Sequence, residues 1–308
     1  MRYLMKKTSI LLIKLILSAL FLTGCQTEVP DPLLSITQTV TGTATSAPSP
    51  TATTTPTFTL TPSPTQPVST ETPVPSPTPT WVFNEPGEVV APILLYHHVA
   101  DGNEYSRFHV SIADFRAQMQ ALSDGGYTAI PISWVIEALI DGRALPDKPV
   151  VITFDDGHQN VYDNAFPIMQ EFGFPGVFYI VANRIHDIPD FVNTDALKEM
   201  IDAGWEIGSH TYTHSDVTLG NINVHFEIAQ SKTDLEAALS TEVETFAYPY
   251  GSITPFIAQR VISYGYQAGV GLGISATHTL NDLFYLHRLE VYGHYNLSQF
   301  KEIIMATE

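Results

Sequence analysis

Strand-like and helix-like segments alternate from about residue 88 to residue 308, and this alternation restricts the fold more than any other feature of the chain. Apolar runs such as "PVVITF" (149–154) are typical of buried strands, and "SIADFRAQMQALSDGG" (111–126) is typical of an amphipathic helix that Ser111 caps. About seven or eight such strand–helix units predict an α/β fold, a parallel sheet with crossover helices that closes into a barrel. The region is long enough for one domain with its own core.

Polar clusters follow four of the predicted strands. They are "YHH" (96–98), "DDG" (155–157), "SHTYTH" (209–214) and "YPYG" (248–251). The carboxyl ends of the strands of a parallel barrel lie on one rim, and that rim carries the chemistry in enzymes of this architecture. We therefore expect the four clusters to form a single site.

Two adjacent carboxylates and a pair of histidines define the chemistry predicted for this site. Asp155 and Asp156 repel each other, and neither can be buried without a compensating partner. His210 and His214 supply two imidazoles which, with one carboxylate, leave open positions on a divalent metal, as in catalytic zinc sites. A solvated Asp-Gly turn and two solvent-facing histidines are the alternatives. The combination of both features at two strand ends favours a metal, for which we predict Zn²⁺, with Co²⁺, Ni²⁺ or Fe²⁺ also compatible.

Three of these clusters together resemble the motifs of a known enzyme family. "TFDDG", "SHTYTH" and "YPYG" occur in this order between residues 153 and 251. They are similar to the first three motifs of the polysaccharide deacetylases, the NodB-homology enzymes of carbohydrate esterase family 4. The resemblance extends over residues 90 to 300 and implies a distorted (β/α) barrel. It also implies a hydrolase that removes acetyl groups from polymers containing N-acetylglucosamine.

The resemblance implies a role for each matching residue. Asp156, His210 and His214 match the metal ligands of the family, and Asp155 matches the general base that accepts a proton from the attacking water. Tyr250 matches the residue whose backbone N–H stabilises the oxyanion. A cation beside Asp156 would compensate one of the two adjacent charges and leave Asp155 free to act as the base.

Three further residues are candidates for contact with the substrate. Tyr248 and Pro249 belong to the third motif, and Trp205 lies next to a predicted strand. The two aromatic rings are predicted to stack on sugar rings. Packing in the core is the alternative for both, because aromatic residues near strand ends are often buried.

The chain departs from the family pattern in two places. Ala247 stands where the family has an arginine that holds the base, and the last family motif, Leu-x-His, has no clean copy. His287 begins its predicted strand, so we expect it on the opposite rim, and His294 matches nothing. Both departures resemble the exported enzymes that deacetylate poly-N-acetylglucosamine in biofilm matrices. In that branch a histidine after the first strand is the general acid, which implies His97, with His98 as an alternative.

The amino-terminal residues predict export and lipid attachment. Residues 1–24 combine a basic start with an apolar stretch, typical of a signal peptide, and "LTGC" (22–25) resembles a lipoprotein lipobox. The resemblance implies a lipidated Cys25 that anchors the protein to the extracytoplasmic face of a bacterial membrane. Cys25 is the only cysteine, which excludes an intramolecular disulfide.

Residues 25–88 are rich in Thr, Pro and Ser and predict a disordered linker, so the deacetylase domain is expected at 89–308. A net charge of −18 argues against nucleic-acid binding through phosphate contacts. The partners we expect are an amino-sugar polysaccharide and the membrane, with the protein a monomer. Two other interpretations remain open. One is an inactive glycan-binding module, and the other is the same chemistry on peptidoglycan, chitin oligomers or O-acetyl esters. The presence of both Asp155 and Asp156 disfavours the inactive module.

Overall fold

A sheet of eight strands lies at the centre of the structure. The computed structural model describes residues 80–102, 106–186 and 188–305. The predicted signal segment, Cys25 and most of the predicted linker lie outside these residues. The strands of the central sheet are β1 Ile93–Tyr96, β2 Thr128–Ala129, β3 Pro149–Phe154, β4 Val177–Ile180, β5 Glu206–Ser209, β6 Thr245–Ala247, β7 Ala268–Val270 and β8 Leu289–Glu290.

The strands pair in parallel and form a distorted barrel. Seven of them follow the order β7-β6-β5-β4-β3-β1-β8, and the short β2 pairs with the first residues of β3. Backbone hydrogen bonds join the two ends of this path: Gly271 N–H donates to Leu286 O at 2.9 Å, and Gly273 N–H donates to Arg288 O at 3.1 Å. The predicted parallel barrel of seven or eight strands is therefore confirmed.

Seven α-helices in the described residues pack around the sheet. They are α1 Ile112–Asp124, α2 Ile132–Asp141, α3 Phe166–Phe172, α4 Thr194–Asp202, α5 Ser231–Leu239, α6 Pro255–Ser263 and α7 Leu297–Met305. The predicted cap of α1 is confirmed, because the Ser111 hydroxyl accepts the Asp114 N–H at 3.0 Å. None of the helices in the described part of the chain has the length and apolar character needed to cross a membrane.

Strand β3 is apolar on both faces and ends just before the charged residue Asp155. Ile152 and Phe154 pack in the large core cluster, whereas Val151 belongs to a second apolar cluster. Side chains alternate between the two faces of a strand, so the alternation places Val151 and Asp155, four residues apart, on the same face. The apolar run on both faces explains why β3 reads as an uninterrupted hydrophobic segment. Asp155 is the first charged group after that run and remains buried, with 3 % exposure.

Short two-stranded ladders extend the ends of the barrel. Glu88–Val90 pairs antiparallel with Thr277–Thr279 just before β1, and Trp81–Val82 pairs antiparallel with Leu145–Pro146 just before β3. Trp81 and Val82 fall within the predicted linker, so that part of the prediction is wrong: apolar residues there form strand pairs with the domain.

Candidate active site

A cavity of about 250 Å³ opens at the carboxyl ends of the barrel strands. Its lining includes all the residues predicted to act in catalysis or metal binding: His97, Asp155, Asp156, His210, His214 and Tyr250. They follow four different strands, β1, β3, β5 and β6. The structure therefore brings together the four polar clusters that the sequence placed at strand ends.

Asp156, His210 and His214 have the geometry of a metal site. Their ligand atoms all lie within 4.8 Å of one another. The Nε2 atoms of His214 and His210 lie 3.1 and 3.8 Å from Oδ1 of Asp156. This Oδ1 is buried without a hydrogen-bond partner, and a cation would satisfy it. Nδ1 of His210 lies 2.8 Å from the Ala247 carbonyl oxygen, so Nδ1 carries the proton and Nε2 is free to ligate. The donor set fits a divalent cation such as zinc.

Electrostatics keep Asp156 and His210 in the protonation states that a metal requires. Burial alone would raise the pKa of the Asp156 carboxyl, but the neighbouring imidazoles of His158, His214 and His210 hold that pKa well below its usual range. Burial lowers the pKa of the His210 imidazole more than the charges of Asp155 and Asp156 raise it. An ionised carboxylate and a neutral imidazole are the forms that bind a divalent cation.

Four residues of the site have left-handed backbone conformations that ordinarily favour glycine. They are Asp156, Thr211, His214 and Tyr250, with φ angles from 60° to 75°, out of six such non-glycine residues among those described. Each conformation of this kind costs about 1–3 kcal/mol and persists only where the surrounding structure fixes it. The strain is therefore concentrated on the rim that holds the histidines and aspartates.

A buried glutamate fixes the loop between the two histidines. Oε2 of Glu227 accepts the backbone N–H groups of Tyr212 and Thr213 at 3.0 and 2.9 Å. Its Oε1 accepts the Thr213 hydroxyl at 2.7 Å, and the glutamate is 5 % exposed. The Thr211 hydroxyl in turn accepts the His214 N–H at 2.9 Å. These bonds hold the loop that aims both imidazoles at Asp156.

Arg288 holds Asp155 through a buried, bidentate ion pair. Nη1 donates to Oδ1 at 2.6 Å and Nη2 donates to Oδ2 at 2.7 Å, while Nε donates to the Gly271 carbonyl at 3.2 Å. Burial alone would raise the pKa of Asp155, but the charge and hydrogen bonds of Arg288 outweigh this effect and lower the pKa. Asp155 is therefore ionised and fixed in orientation, as a general base must be.

Sequence reasoning missed Arg288. The family pattern predicts this arginine at position 247, where the chain has Ala247, and near the last strand only His287 was considered. Ala247 belongs to the apolar cluster that also includes Tyr179, and the Arg288 guanidinium lies 5.2 Å from the centre of the Tyr179 ring. The sequence did contain a signal for Arg288. In the predicted strand, Leu286 and Arg288 lie on the same face, and an arginine on a buried face requires an acidic partner.

The two neighbouring histidines after β1 have different surroundings. His97 packs its ring 4.7 Å from Phe108, and burial lowers its pKa more than Asp155 and Asp156 raise it. His98 is stacked between His109 and His158 at 3.9 and 3.7 Å. Burial and these two rings lower the pKa of His98 to about 3. His98 is therefore a neutral member of a ring stack, which leaves His97 as the better candidate for an acid.

The other two histidines considered for the acid lie elsewhere. The ring of His287 lies 6.0 Å from that of Tyr285. The ring of His294 stacks on Tyr292 at 5.5 Å. Neither histidine lines the cavity.

The residues predicted to bind substrate separate into two groups. Tyr248 lines the cavity, although only 1 % of it is exposed and its ring packs against Phe246 and Tyr285. Pro249, next to it, is buried and does not line the cavity. Pro249 therefore shapes the turn before Tyr250 instead of contacting a ligand in the cavity.

The structure does not support Trp205 as a sugar-binding residue. Trp205 is 3 % exposed, and its ring packs 5.5 Å from Phe154 and 5.6 Å from Phe166. It precedes β5, so it lies at the opposite end of that strand from His210. The alternative of core packing is the correct one.

Comparison with known proteins identifies this constellation. Residues 142–269 match the family model described as "Polysaccharide deacetylase". The chain contains a polysaccharide deacetylase domain. The segment of the deacetylase that matches includes both aspartates and both ligand histidines, whereas His97 and Arg288 lie outside it.

Relatives agree with this assignment. A Bacillus subtilis protein provisionally named a polysaccharide deacetylase is 28% identical over 201 residues, which cover 65% of this chain and 71% of the relative. The poly-beta-1,6-N-acetyl-D-glucosamine N-deacetylase of Staphylococcus epidermidis is 25% identical over 208 residues, covering 63% and 71%. The crystal structure of a polysaccharide deacetylase from Bacillus cereus superposes with a TM-score of 0.62 at 27% identity, covering 70% of this chain and 69% of that one.

Proposed function

We propose that this deacetylase is a metal-dependent hydrolase that removes N-acetyl groups from an N-acetylglucosamine polysaccharide at the bacterial cell surface. The observation that carries the proposal is the buried, unpartnered Oδ1 of Asp156 beside two histidine nitrogens, with Asp155 held next to it by Arg288. The name of the Staphylococcus epidermidis relative supports the choice of polymer.

Asp156, His210 and His214 would hold a divalent cation. Such a cation, when bound, supplies Lewis acidity toward the acetamide carbonyl and lowers the pKa of the attacking water. Two imidazoles and one carboxylate form the ligand set of catalytic zinc sites, which makes Zn²⁺ our choice, with Co²⁺, Ni²⁺ or Fe²⁺ as alternatives.

Asp155 would take the proton from the attacking water. Its lowered pKa keeps it ionised, and its two hydrogen bonds to Arg288 fix the direction of the carboxylate. Arg288 therefore acts as a positioning residue, because it touches the base and not the substrate. A base that is already ionised and oriented needs no rearrangement before reaction.

His97 and Tyr250 would complete the reaction. His97 lines the cavity together with Asp155 and would donate a proton to the leaving amine. The backbone N–H of Tyr250, on a residue with φ of 60°, would stabilise the oxyanion. Because the pKa of His97 is lowered, its imidazolium is a stronger acid than an ordinary one but must take up its proton during the catalytic cycle.

Export and lipid attachment of the enzyme are supported by the sequence of residues 1–88 alone. The apolar stretch, the "LTGC" box around Cys25 and the Thr/Pro-rich linker suit an enzyme held on a stalk outside the membrane. Mass spectrometry of the protein extracted from membranes would show whether Cys25 is the lipidated amino terminus.

The Asp155→Asn variant tests the assignment of the base. We expect acetate release from β-1,6-linked N-acetylglucosamine oligomers to fall by about 10³-fold, because a general base contributes about 10²–10⁴-fold. Metal content of the purified full-length protein should stay as in the wild type. His210→Ala should lose both metal and activity, because it removes a ligand.

Asp163→Asn is the matched control, since Asp163 is exposed and its carboxylate bonds only Gln159. Full activity of Asp155→Asn would disprove the base assignment. Absence of acetate release by the wild-type protein, with metal bound, would disprove the proposed substrate.

A further inference from the structure

The cavity is too small to hold more than a short part of a polymer. Its volume of about 250 Å³ lies below the roughly 300–1,000 Å³ that are usual for sites of drug-sized ligands. A polysaccharide that places one acetamide beside Asp155 must therefore continue over the surface outside the cavity. The chemistry of the surface at the mouth then decides which way the chain runs.

Two groups of residues near the cavity differ in chemistry. The first group is Leu272, which lines the cavity, and Ile274, which follows two residues later and is 92 % exposed. The second group is Arg107, Phe108 and Glu290, all of which line the cavity. Aliphatic side chains offer no partner to sugar hydroxyls, whereas an arginine, an aromatic ring and a carboxylate do.

The second group continues beyond the cavity to Tyr292. We call the surface formed by Arg107, Phe108, Glu290 and Tyr292 the Arg107–Tyr292 wall. The Arg107 guanidinium lies 4.6 Å from the centre of the Phe108 ring and 5.4 Å from that of Tyr292. The Tyr292 hydroxyl donates to Oε2 of Glu290 at 2.5 Å. Aromatic rings, a carboxylate and a guanidinium thus form one continuous surface.

The backbone holds this wall in place. The Gly293 N–H donates to the Arg107 carbonyl oxygen at 2.8 Å, which ties the loop after β1 to the loop after β8. A Cβ atom at position 293 would lie 1.8 Å from the His109 carbonyl oxygen, so only glycine allows this approach. The wall is therefore built from two segments fixed against each other.

Hydrogen-bonding capacity on the wall is left unused. The exposed Arg107 guanidinium, with five N–H donors, bonds no acceptor in the described residues, and Oε1 of Glu290 accepts no bond from them. Both groups stand beside the cavity in which the acetamide would react. They are available to a ligand that extends from it.

We propose that the Arg107–Tyr292 wall binds the hexosamine unit next to the one that is deacetylated. Arg107 and Glu290 bind the hydroxyl, acetamide or ammonium groups of that unit, and Phe108 and Tyr292, which pack against the Arg107 guanidinium, hold it in place. Glu290 gives the wall a preference for a neighbour that already carries a free amine. This inference rests on the proposed function.

The dependence of kcat/KM on oligomer length tests the wall. We would measure acetate release by the full-length protein from the dimer and the pentamer of β-1,6-linked N-acetylglucosamine. In Arg107→Ala and Tyr292→Ala, the ratio of kcat/KM for pentamer to dimer should fall by about tenfold, through KM, because one sugar contact of about 1.4 kcal/mol is lost. The matched controls are Ile274→Ala, in the first group, and Tyr264→Ala, at a tyrosine that does not line the cavity. Both should keep the wild-type ratio.

One further measurement distinguishes failure of the wall from failure of the proposed function. Calorimetric binding of the pentamer by metal-loaded protein should weaken about tenfold in Arg107→Ala, an exposed residue whose loss leaves the core unchanged. This binding decides the inference even if no acetate is released, an outcome that would overturn only the proposed function. Wild-type values for both the length ratio and pentamer binding in Arg107→Ala and Tyr292→Ala would overturn the wall.

Discussion

The two ends of the barrel differ in how a half-buried carboxyl group is bound. At the carboxyl end, Asp156 has a lowered pKa, a left-handed backbone and an unpartnered oxygen. At the amino end, burial raises the pKa of Glu206, and its Oε2 accepts the N–H groups of Ile132 and Ser133 at 2.9 and 3.3 Å. Glu206 caps a helix and is satisfied, whereas Asp156 has capacity left for a ligand.

Cavity size does not distinguish the two ends. The cavity at the amino end, lined by Trp205 and Glu206, has a volume of about 340 Å³ and is larger than the one beside Asp156. The end with the smaller cavity combines backbone strain, histidine ligands and an ion-paired base. The combination of backbone strain, two histidines beside a carboxylate and an ion-paired base, and not volume, therefore identifies the candidate active site.

The largest effect should follow from breaking the ion pair at the carboxyl end. Arg288→Ala leaves Asp155 buried without a countercharge, so we expect the free energy of unfolding to fall by about 3–5 kcal/mol. Acetate release should fall as well, because the base loses its orientation. Urea unfolding at pH 7 and the acetate assay measure the two effects.

Two variants sharpen the interpretation of that result. Arg260→Ala removes an exposed arginine that lies over the Phe256 ring and is expected to change unfolding little. Adding Ala247→Arg to Arg288→Ala restores a guanidinium from the position that the family uses, and should recover part of the stability. Wild-type stability of Arg288→Ala alone would contradict the structural role of the ion pair.

A histidine at the amino end should make the fold sensitive to acid. His278 is fully buried, with Nε2 3.1 Å from the Ala91 carbonyl oxygen and Nδ1 unpartnered. Burial lowers its pKa from 6.5 to about 4, so below about pH 6.5 the unfolded chain binds more protons than the folded one. The free energy of unfolding should therefore drop by up to about 3 kcal/mol as the pH falls from about 6.5 to about 4.

Urea unfolding between pH 4 and 7 checks this effect. His278→Gln should show a shallower pH dependence than the wild type, while His225→Gln, which replaces an exposed histidine, should follow the wild type. Equal slopes in His278→Gln and the wild type would show that other groups cause the acid sensitivity.

Local pattern was sufficient to predict most of the barrel and the grouping of Asp156 with His210 and His214. The apolar run of β3, the Asp155–Asp156 pair and the four-residue spacing of His210 and His214 are all contained in short segments. The ring stack of His98, His109 and His158 was not predictable, because it joins three segments whose contact depends on loop geometry.

Two other outcomes show where sequence reasoning needed the register of strands. Arg288 meets Asp155 across 133 residues, and only the pairing of β8 with β1 and β7 places them together. Trp205 was predicted to contact substrate because it lies next to a strand, but it precedes β5, and only residues after the strand reach the rim with the candidate site.

The smallest effect should come from the glutamate that holds the loop between the histidines. Glu227→Ala removes three hydrogen bonds from residues 212 and 213, so the affinity for Zn²⁺ should fall by about 10–100-fold. Glu227→Gln keeps one acceptor oxygen and should fall less. Competition with a chromophoric chelator measures the dissociation constant.

Glu242→Gln is the control for this series. It removes one negative charge from an exposed glutamate that does not belong to the loop between the histidines. If Glu227→Ala bound Zn²⁺ as tightly as the wild type, the loop would owe its geometry to Thr211 and the backbone alone.

The bond between Arg288 and Asp155 also has a consequence in time. A chain that emerges amino terminus first delivers the base 133 residues before the arginine that orients it. During synthesis the nascent chain thus carries its aspartates and histidines before Arg288 exists to pair with Asp155. The ion pair requires that β8 be made and pair with β1.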